Sequence, residues 1–310
     1  MPDHCPCWLR VMEAGFQEHL QSHRVPGQCS NSSQISSISH SSLILREAVD
    51  VLNRCLDATM DWMRTNKLKL NPDKTEMLLV DGFSNQMIDT YPVLDGVTLP
   101  LKEQVRSLGV VLDSSLSLEA HVASVAWNAF YQLRLVAQLR PYLTKEDLTS
   151  VVHALVTSRL DYCNALYVGL PLKTVRKLQL VQNAAARLLT RTKRSDHITP
   201  VLARLHCLPI RFRARFKVLV LTYKALYGTG PRYLSEHLSR YEPARTLWSA
   251  TKALLRVPTH REARRVVTRS RAFSVVAPEL WNSLPEEVRL APTLSSFRRQ
   301  VKTFLFSEAF

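Results

Sequence analysis

The cations are the residues whose type and spacing carry the clearest chemistry in this chain. Arg187, Arg191, Lys193 and Arg194 form one group. Arg211, Arg213, Arg215 and Lys217 form a second, alternating with Phe212, Ala214 and Phe216. Arg261, Arg264, Arg265, Arg269 and Arg271 form a third. Guanidinium and ammonium groups gathered in this way neutralise phosphates, and such contacts supply affinity without choosing a base sequence. A solvated basic surface with no partner has the same composition, so the distribution of charge has to decide. The net charge is +15 over 310 residues. Residues 1–186 hold 17 Lys+Arg against 18 Asp+Glu, whereas residues 187–310 hold 24 against 8. The whole excess lies in the last two fifths, where its field concentrates polyanions, of which nucleic acid is the commonest.

Other constellations carry less. His4, Cys5 and Cys7 lie close together, but no second ligand pair follows at zinc-finger spacing. His153, His206 and Cys207 do not form a spaced nucleophile and base. The glycines match neither a G-x-G-x-x-G nor a P-loop pattern, so no phosphate-cradling loop is expected. Six scattered cysteines and an N-terminus without an apolar h-region point to a reducing, intracellular compartment. No uncharged apolar stretch approaches the roughly 20 residues that cross a bilayer, so no membrane partner is expected. The dispersed basic groups do not choose between nucleus and cytoplasm.

The elements that must position these residues follow from periodicity. Ser30 to Ser42 contains eight serines in thirteen residues, and residues 1–42 read as a disordered or non-native segment. Leu45, Val49, Leu52, Leu56 and Met63 predict an amphipathic helix over about 43–66. Apolar runs flanking Asn71-Pro72-Asp73 predict strand, turn and strand; Asp95-Gly96 between β-formers predicts a hairpin. Residues 105–112 predict one further strand, with Gly109 permitting close backbone approach. A helix follows over about 117–140, with Val122, Val125, Phe130, Leu133 and Val136 inward. Thr144 to Asp147 resembles a capping box opening the next helix. Further helices are predicted over about 172–190, from Pro209 to Tyr227, and over 293–306, with prolines cutting 241–292 into short pieces. The order of elements is α+β.

Several segments are also recognisable. Trp62 through Glu76, with its Leu68-Lys69-Leu70-Asn71-Pro72-Asp73-Lys74 centre, closely resembles the LINE (non-LTR) retrotransposon reverse-transcriptase segment just after the catalytic strand. Leu108 through Asp113, followed by Glu119-Ala120-His121-Val122, resembles the primer-grip region entering the thumb. Arg271-Ala-Phe273-Ser274-Val275-x-Ala277-Pro278-x-Leu280-Trp281-Asn282-Ser283-Leu284-Pro285 is similar to the tail of jockey and chicken-repeat type elements. The resemblance covers residues 43–310 and rests on separated motifs in the family's order. It implies a C-terminal palm remnant with a primer-grip-like strand (43–114), a helical thumb-like region (115–240) and a basic C-terminal region (241–310). The fold it implies is a small antiparallel β remnant of a polymerase palm followed by a mostly helical thumb.

The resemblance also sets an expectation about activity. The intact family uses Mg²⁺ held by clustered carboxylates, with two aspartates in a Tyr-x-Asp-Asp strand just before the first helix. Here that position is serine-rich and the chain contains no Asp-Asp dipeptide, so no cofactor and no DNA synthesis are expected. Most of the palm and all of the fingers are expected to be missing. Lys74 matches the family's phosphate-proximal lysine, and Leu108, Gly109 and Val110 match residues lining the primer strand. Asp161-Tyr162 lacks a second aspartate and reads as structural rather than as a displaced catalytic pair. The expected function is residual, sequence-independent RNA or DNA binding. Three other readings share parts of the pattern: a complete non-enzymatic nucleic-acid-binding module, an interaction scaffold, and a poorly folding translated relic.

Overall fold

The computed structural model describes residues 33–69, 71, 74–80, 91–242, 253–259 and 269–310, and describes no side chains for 33–48 or Arg269. The chain forms two compact units, 1–105 and 106–310. The architecture is α+β: helices dominate, with two short two-stranded sheets. No described helix is long and apolar enough to cross a membrane.

In the first unit, helix α1 (Ser33–Thr65) begins ten residues before the expected start. The serine-rich run Ser33–Ser42 is therefore helical rather than disordered, and residues 1–32 lie outside the described residues. Once a helix is nucleated, each added residue gains a hydrogen bond, so weak formers extend it. It ends in a Schellman arrangement. Lys67 takes the left-handed conformation (φ 57°), while Lys67 N–H reaches the Arg64 carbonyl and Leu68 N–H reaches that of Met63. Strands β1 (Val93–Leu94) and β2 (Val97–Thr98) form the expected hairpin, with Val93 opposite Thr98. Asp95 and Gly96 both have positive φ, as a two-residue turn between twisted strands requires. Leu56 of α1 buries against Leu94 and Leu99, with Leu52 and Met60 around them. The strand–turn–strand expected around Asn71 does not form among the described residues. Met77 instead makes a single parallel bridge with Leu101, reinforced by Lys102 Nζ on Glu76 Oε1 at 2.5 Å.

The expected strand over 105–112 is two strands, β3 (Gln104–Ser107) and β4 (Val110–Asp113), which pair with each other. Leu108 (φ 47°) and Gly109 (φ 83°) make the turn. From Arg106 onward the chain is one unit. Helix α2 (Glu119–Leu139) has no cap on its own Leu118, which is left-handed. Asp113 caps it from upstream: its carboxylate accepts from Ser117 N–H and Leu118 N–H, both at 2.8 Å, and from the Ser115 and Ser117 hydroxyls. Helix α3 (Lys145–Val152) is capped by Thr144, whose Oγ1 accepts from Asp147 N–H at 3.1 Å, as the capping-box pattern predicts. It continues through a π-turn (His153–Thr157) into α4 (Ser158–Asp161). Helix α5 (Leu172–Thr190) stops at left-handed Arg191, and short α6 (Thr199–Arg204) leads to α7 (Ile210–Leu226).

After α8 (Arg232–Glu236) the tail supplies α9 (Phe273–Asn282), α10 (Glu286–Arg289) and α11 (Leu294–Ala309). Pro278 lies inside α9 instead of ending a helix; it is buried, and Val275, Val276 and Trp281 anchor the turn on both sides of it. Segments 115–240 and 241–310 are not separate bodies, because α7 belongs to both of their cores. Ile210 and Ala214 pack with Val122, Leu133, Val136, Leu178 and Val181. Phe212, Leu219 and Tyr223 pack with Trp281, Phe297, Val301 and Leu305. Trp281 Nε1 donates to Ala253 O at 2.8 Å, and Asn282 bonds both Leu255 N–H and Leu255 O, which pins 253–255 to α9. Phe130, expected inward, is 39 % exposed: it lies off the line of Ala126, Ala129 and Leu133 that faces the core.

Candidate nucleic-acid interface

The first basic group forms a surface loop. Arg187, in the last turn of α5, directs its guanidinium to the Lys193 carbonyl (3.3 Å) and the Asp196 carbonyl (3.0 Å). It thereby folds the loop that follows back onto the helix end. Asp196 Oδ2 accepts from Lys193 N–H at 3.2 Å and tightens the same turn. Arg191, Lys193 and Arg194 are left exposed on that loop, close to the negative end of α5. Arg187 therefore positions the group, and its three neighbours are the cations presented to solvent.

The second group divides. Arg213 is held by Asp161 of α4: Nε donates to Oδ1 at 2.8 Å and Nη2 donates to Oδ2. This bidentate pair joins α7 to α4 and gives Asp161 the structural role expected of it. Arg215 pairs with Glu308 of α11 at 3.1 Å and lies over the Phe212 ring, while its Nε is buried without a partner. Arg211 also lies over that ring, 4.5 Å from its centroid. Arg211 and Lys217 are exposed; Arg213 and Arg215 are half-buried and engaged with carboxylates. The alternating pattern thus brings four cations to one helix but leaves only two of them open to a ligand.

In the third group, Arg261, Arg264 and Arg265 lie outside the described residues, and Arg269 opens a short 3₁₀ turn (Arg269–Arg271). Arg271 is structural. Its Nη2 donates to the Leu116 carbonyl at 2.5 Å, and its stem crosses Gly169, where a Cβ would come within 2.7 Å of it. Gly169 has to be glycine on both counts, having φ +76° and no room for a side chain.

The remaining predicted positions separate as well. Lys74 is exposed in the first unit, with its N–H on the Asn71 carbonyl at 3.2 Å. Leu108 is 87 % exposed at the β3–β4 turn, and its carbonyl accepts from Tyr162 Oη at 2.5 Å. The close approach that Gly109 permits is to the Tyr162 ring of the same unit, and Val110 is buried in the first core. Of these three, Leu108 and Gly109 are exposed and Val110 is not. Among the described residues no three His, Cys, Asp or Glu side chains come together, and the carboxylates of Asp113 and Asp161 are occupied by their own hydrogen bonds.

Two features escaped the sequence. Trp127 and Tyr131 of α2 lie in the open, 69 % and 47 % exposed, with parallel rings 6.0 Å apart. Their four-residue spacing off the apolar stripe was the available signal. His121 is buried beneath β4, where Nδ1 accepts from Val111 N–H at 3.4 Å and Nε2 faces Tyr167 Oη at 3.5 Å. Burial pushes the Tyr167 phenol up to about 12, with Cys163 and Asp161 adding to the shift. No protein-family model, curated protein or solved structure matches the chain.

Burial, followed by the charge of Arg106, holds the His121 imidazole below its ordinary 6.5. The folded state therefore favours the neutral ring. Its contribution is complete above about pH 6.5 and is lost as pH falls from there through the folded pKa, at no more than about 1.4 kcal/mol per pH unit. Urea unfolding between pH 7.5 and 5, values chosen to span about one unit or more either side of 6.5, reads this directly. The His121→Gln variant should show a flatter pH dependence than the parent; an identical slope contradicts the assignment.

Proposed function

We propose that the chain corresponds to the C-terminal part of a LINE-type reverse transcriptase of the jockey or chicken-repeat kind. In this reading it holds a palm remnant, a thumb-like helical region and the element's tail, without the polymerase aspartates. Its remaining activity is sequence-independent binding of RNA or DNA. The observation that carries the binding reading is the excess of 24 Lys+Arg over 8 Asp+Glu in residues 187–310, together with the exposure of Arg191, Lys193 and Arg194 on a loop that Arg187 holds in place.

The family reading draws support from how its motif residues work together. In the segment resembling a primer grip, Asp113 caps α2, His121 accepts from Val111 and Gly109 lies against Tyr162, so the hairpin and the helix after it form one connected module. In the tail motif, Trp281 and Asn282 anchor 253–255, and Arg271 ties the motif to Leu116.

Filter binding to a single-stranded RNA over a salt series tests the binding reading. The logarithm of the affinity should fall linearly with the logarithm of salt, by about 0.7 per phosphate neutralised on a single strand. Replacing Arg191, Lys193 and Arg194 together by glutamine should flatten that slope by about two. A flat salt response, or no binding at low salt, rejects the reading. Primer extension with Mg²⁺ on a primed RNA template tests the other half: no product is expected from the purified chain, and any incorporation contradicts the loss of catalysis.

A further inference from the structure

Helices α2 and α5 run side by side in the same direction. Near their starts Thr174 Oγ1 donates to Glu119 Oε1 at 3.4 Å, and toward their ends Leu133 and Ala137 face Ala184 and Leu188 across a shallow groove. Phe130 and Arg134 line the groove from α2, and Arg187 lines it from α5. The core-facing stripe of α2 is satisfied within the first core. On its other side Trp127, Tyr131, Leu135 and Leu139 follow at four-residue steps, every one of them exposed. The rings of Trp127 and Tyr131 are inclined by only 8° with centroids 6.0 Å apart, so they stand as a parallel pair rather than as two unrelated side chains.

The charge along these two helices is predominantly positive. Helix α2 carries a single acid, Glu119 in its first turn, and α5 carries none. Against these stand Arg134 beside Tyr131, and Lys173, Arg176, Lys177 and Arg187 along α5. Arg187 also holds the loop of Arg191, Lys193 and Arg194 at the end of the groove. Flat exposed rings interleaved with cations, with the one acid of the two helices in the first turn of α2, suit a chain whose bases are free to stack. A duplex keeps its bases stacked inside and offers mainly phosphates to such a surface, so the rings would add nothing. An apolar helix of a protein partner would match the leucines but leave the cations unpaired.

We infer that the exposed face of α2, with the groove beside it, is a binding platform for single-stranded nucleic acid. Trp127 and Tyr131 stack bases, while Arg134 and the cations of α5 and its loop track the phosphates. This rests on the nucleic-acid reading above and narrows it to the strand form bound and the residues that select it.

Fluorescence anisotropy with labelled oligouridylate and with a blunt RNA duplex, using the full chain, tests the inference. Trp127→Ala with Tyr131→Ala should weaken single-strand binding by about tenfold or more, the scale of stacking one base on a ring, and change duplex binding less than twofold. Trp127→Phe should retain most of the affinity. Trp127→Leu, which keeps apolar area without a large ring, should not, and it covers the case in which the double alanine variant folds poorly. Unchanged single-strand affinity in the ring-deficient variants overturns the inference while leaving the binding reading intact. Equal losses on both substrates also overturn it. Wild-type protein that binds neither substrate removes the binding reading and this inference together.

Discussion

Helix α7 is the element on which the 106–310 unit depends, because it is buried on two sides by two different cores. Ile210 and Ala214 complete the packing of α2 and α5, and Phe212, Leu219 and Tyr223 complete that of α9 and α11. A helix so enclosed has little solvent face left, yet this one carries Arg211, Arg213, Arg215 and Lys217 in its first half. The conflict is resolved by pairing. Asp161 takes Arg213, Glu308 takes Arg215, and the Phe212 ring receives both Arg211 and Arg215 on its faces. A half-buried guanidinium with a bidentate carboxylate avoids most of the cost of leaving water. Each pair then fixes where α4 and α11 lie against α7.

That constraint changes what the positive charge means. Net charge predicts attraction to polyanions, but it does not say which cations are available. Arg213, Arg215, Arg271 and the buried Arg289 are tied to carboxylates or backbone carbonyls, and Arg289 donates to Leu284 O at 2.6 Å. Such arginines hold the unit together and lend only a screened field to a ligand. Cations open to solvent include Arg211 and Lys217 on α7 itself, and others lie on α5, on the loop after it and beside the exposed rings of α2. Residues 117–140, predicted from their period as a helix with an inward apolar stripe, thus also contribute an exposed face on which the functional argument turns.

Local patterns were the most legible part of the chain. The Asp95-Gly96 hairpin, the Thr144 cap and the spans of α5 and α7 follow from turn chemistry, capping and period, which act over a few residues. The Leu108-Gly109 turn was hidden because leucine seldom takes a left-handed conformation; Tyr162, 54 residues away, holds the Leu108 carbonyl there. Around Asn71 part of the expected strand pair (Leu70, Pro72 and Asp73) lies outside the described residues, and Met77 bridges to Leu101, a partner that an apolar run does not name. The candidate site was legible as three basic groups but not as free and engaged members. The partners of Arg213 and Arg215 lie 52 and 93 residues away, so only the tertiary fold could sort them.

The account comes down to where nucleic acid touches the chain. Ultraviolet cross-linking of oligouridylate to the full chain at low salt, followed by peptide mapping, measures this without substitution. Adducts are predicted on the peptide holding Trp127 and Tyr131 and on that spanning residues 187–194. Adducts confined to residues 204–226, or none at all, would contradict the division between structural and ligand-facing cations.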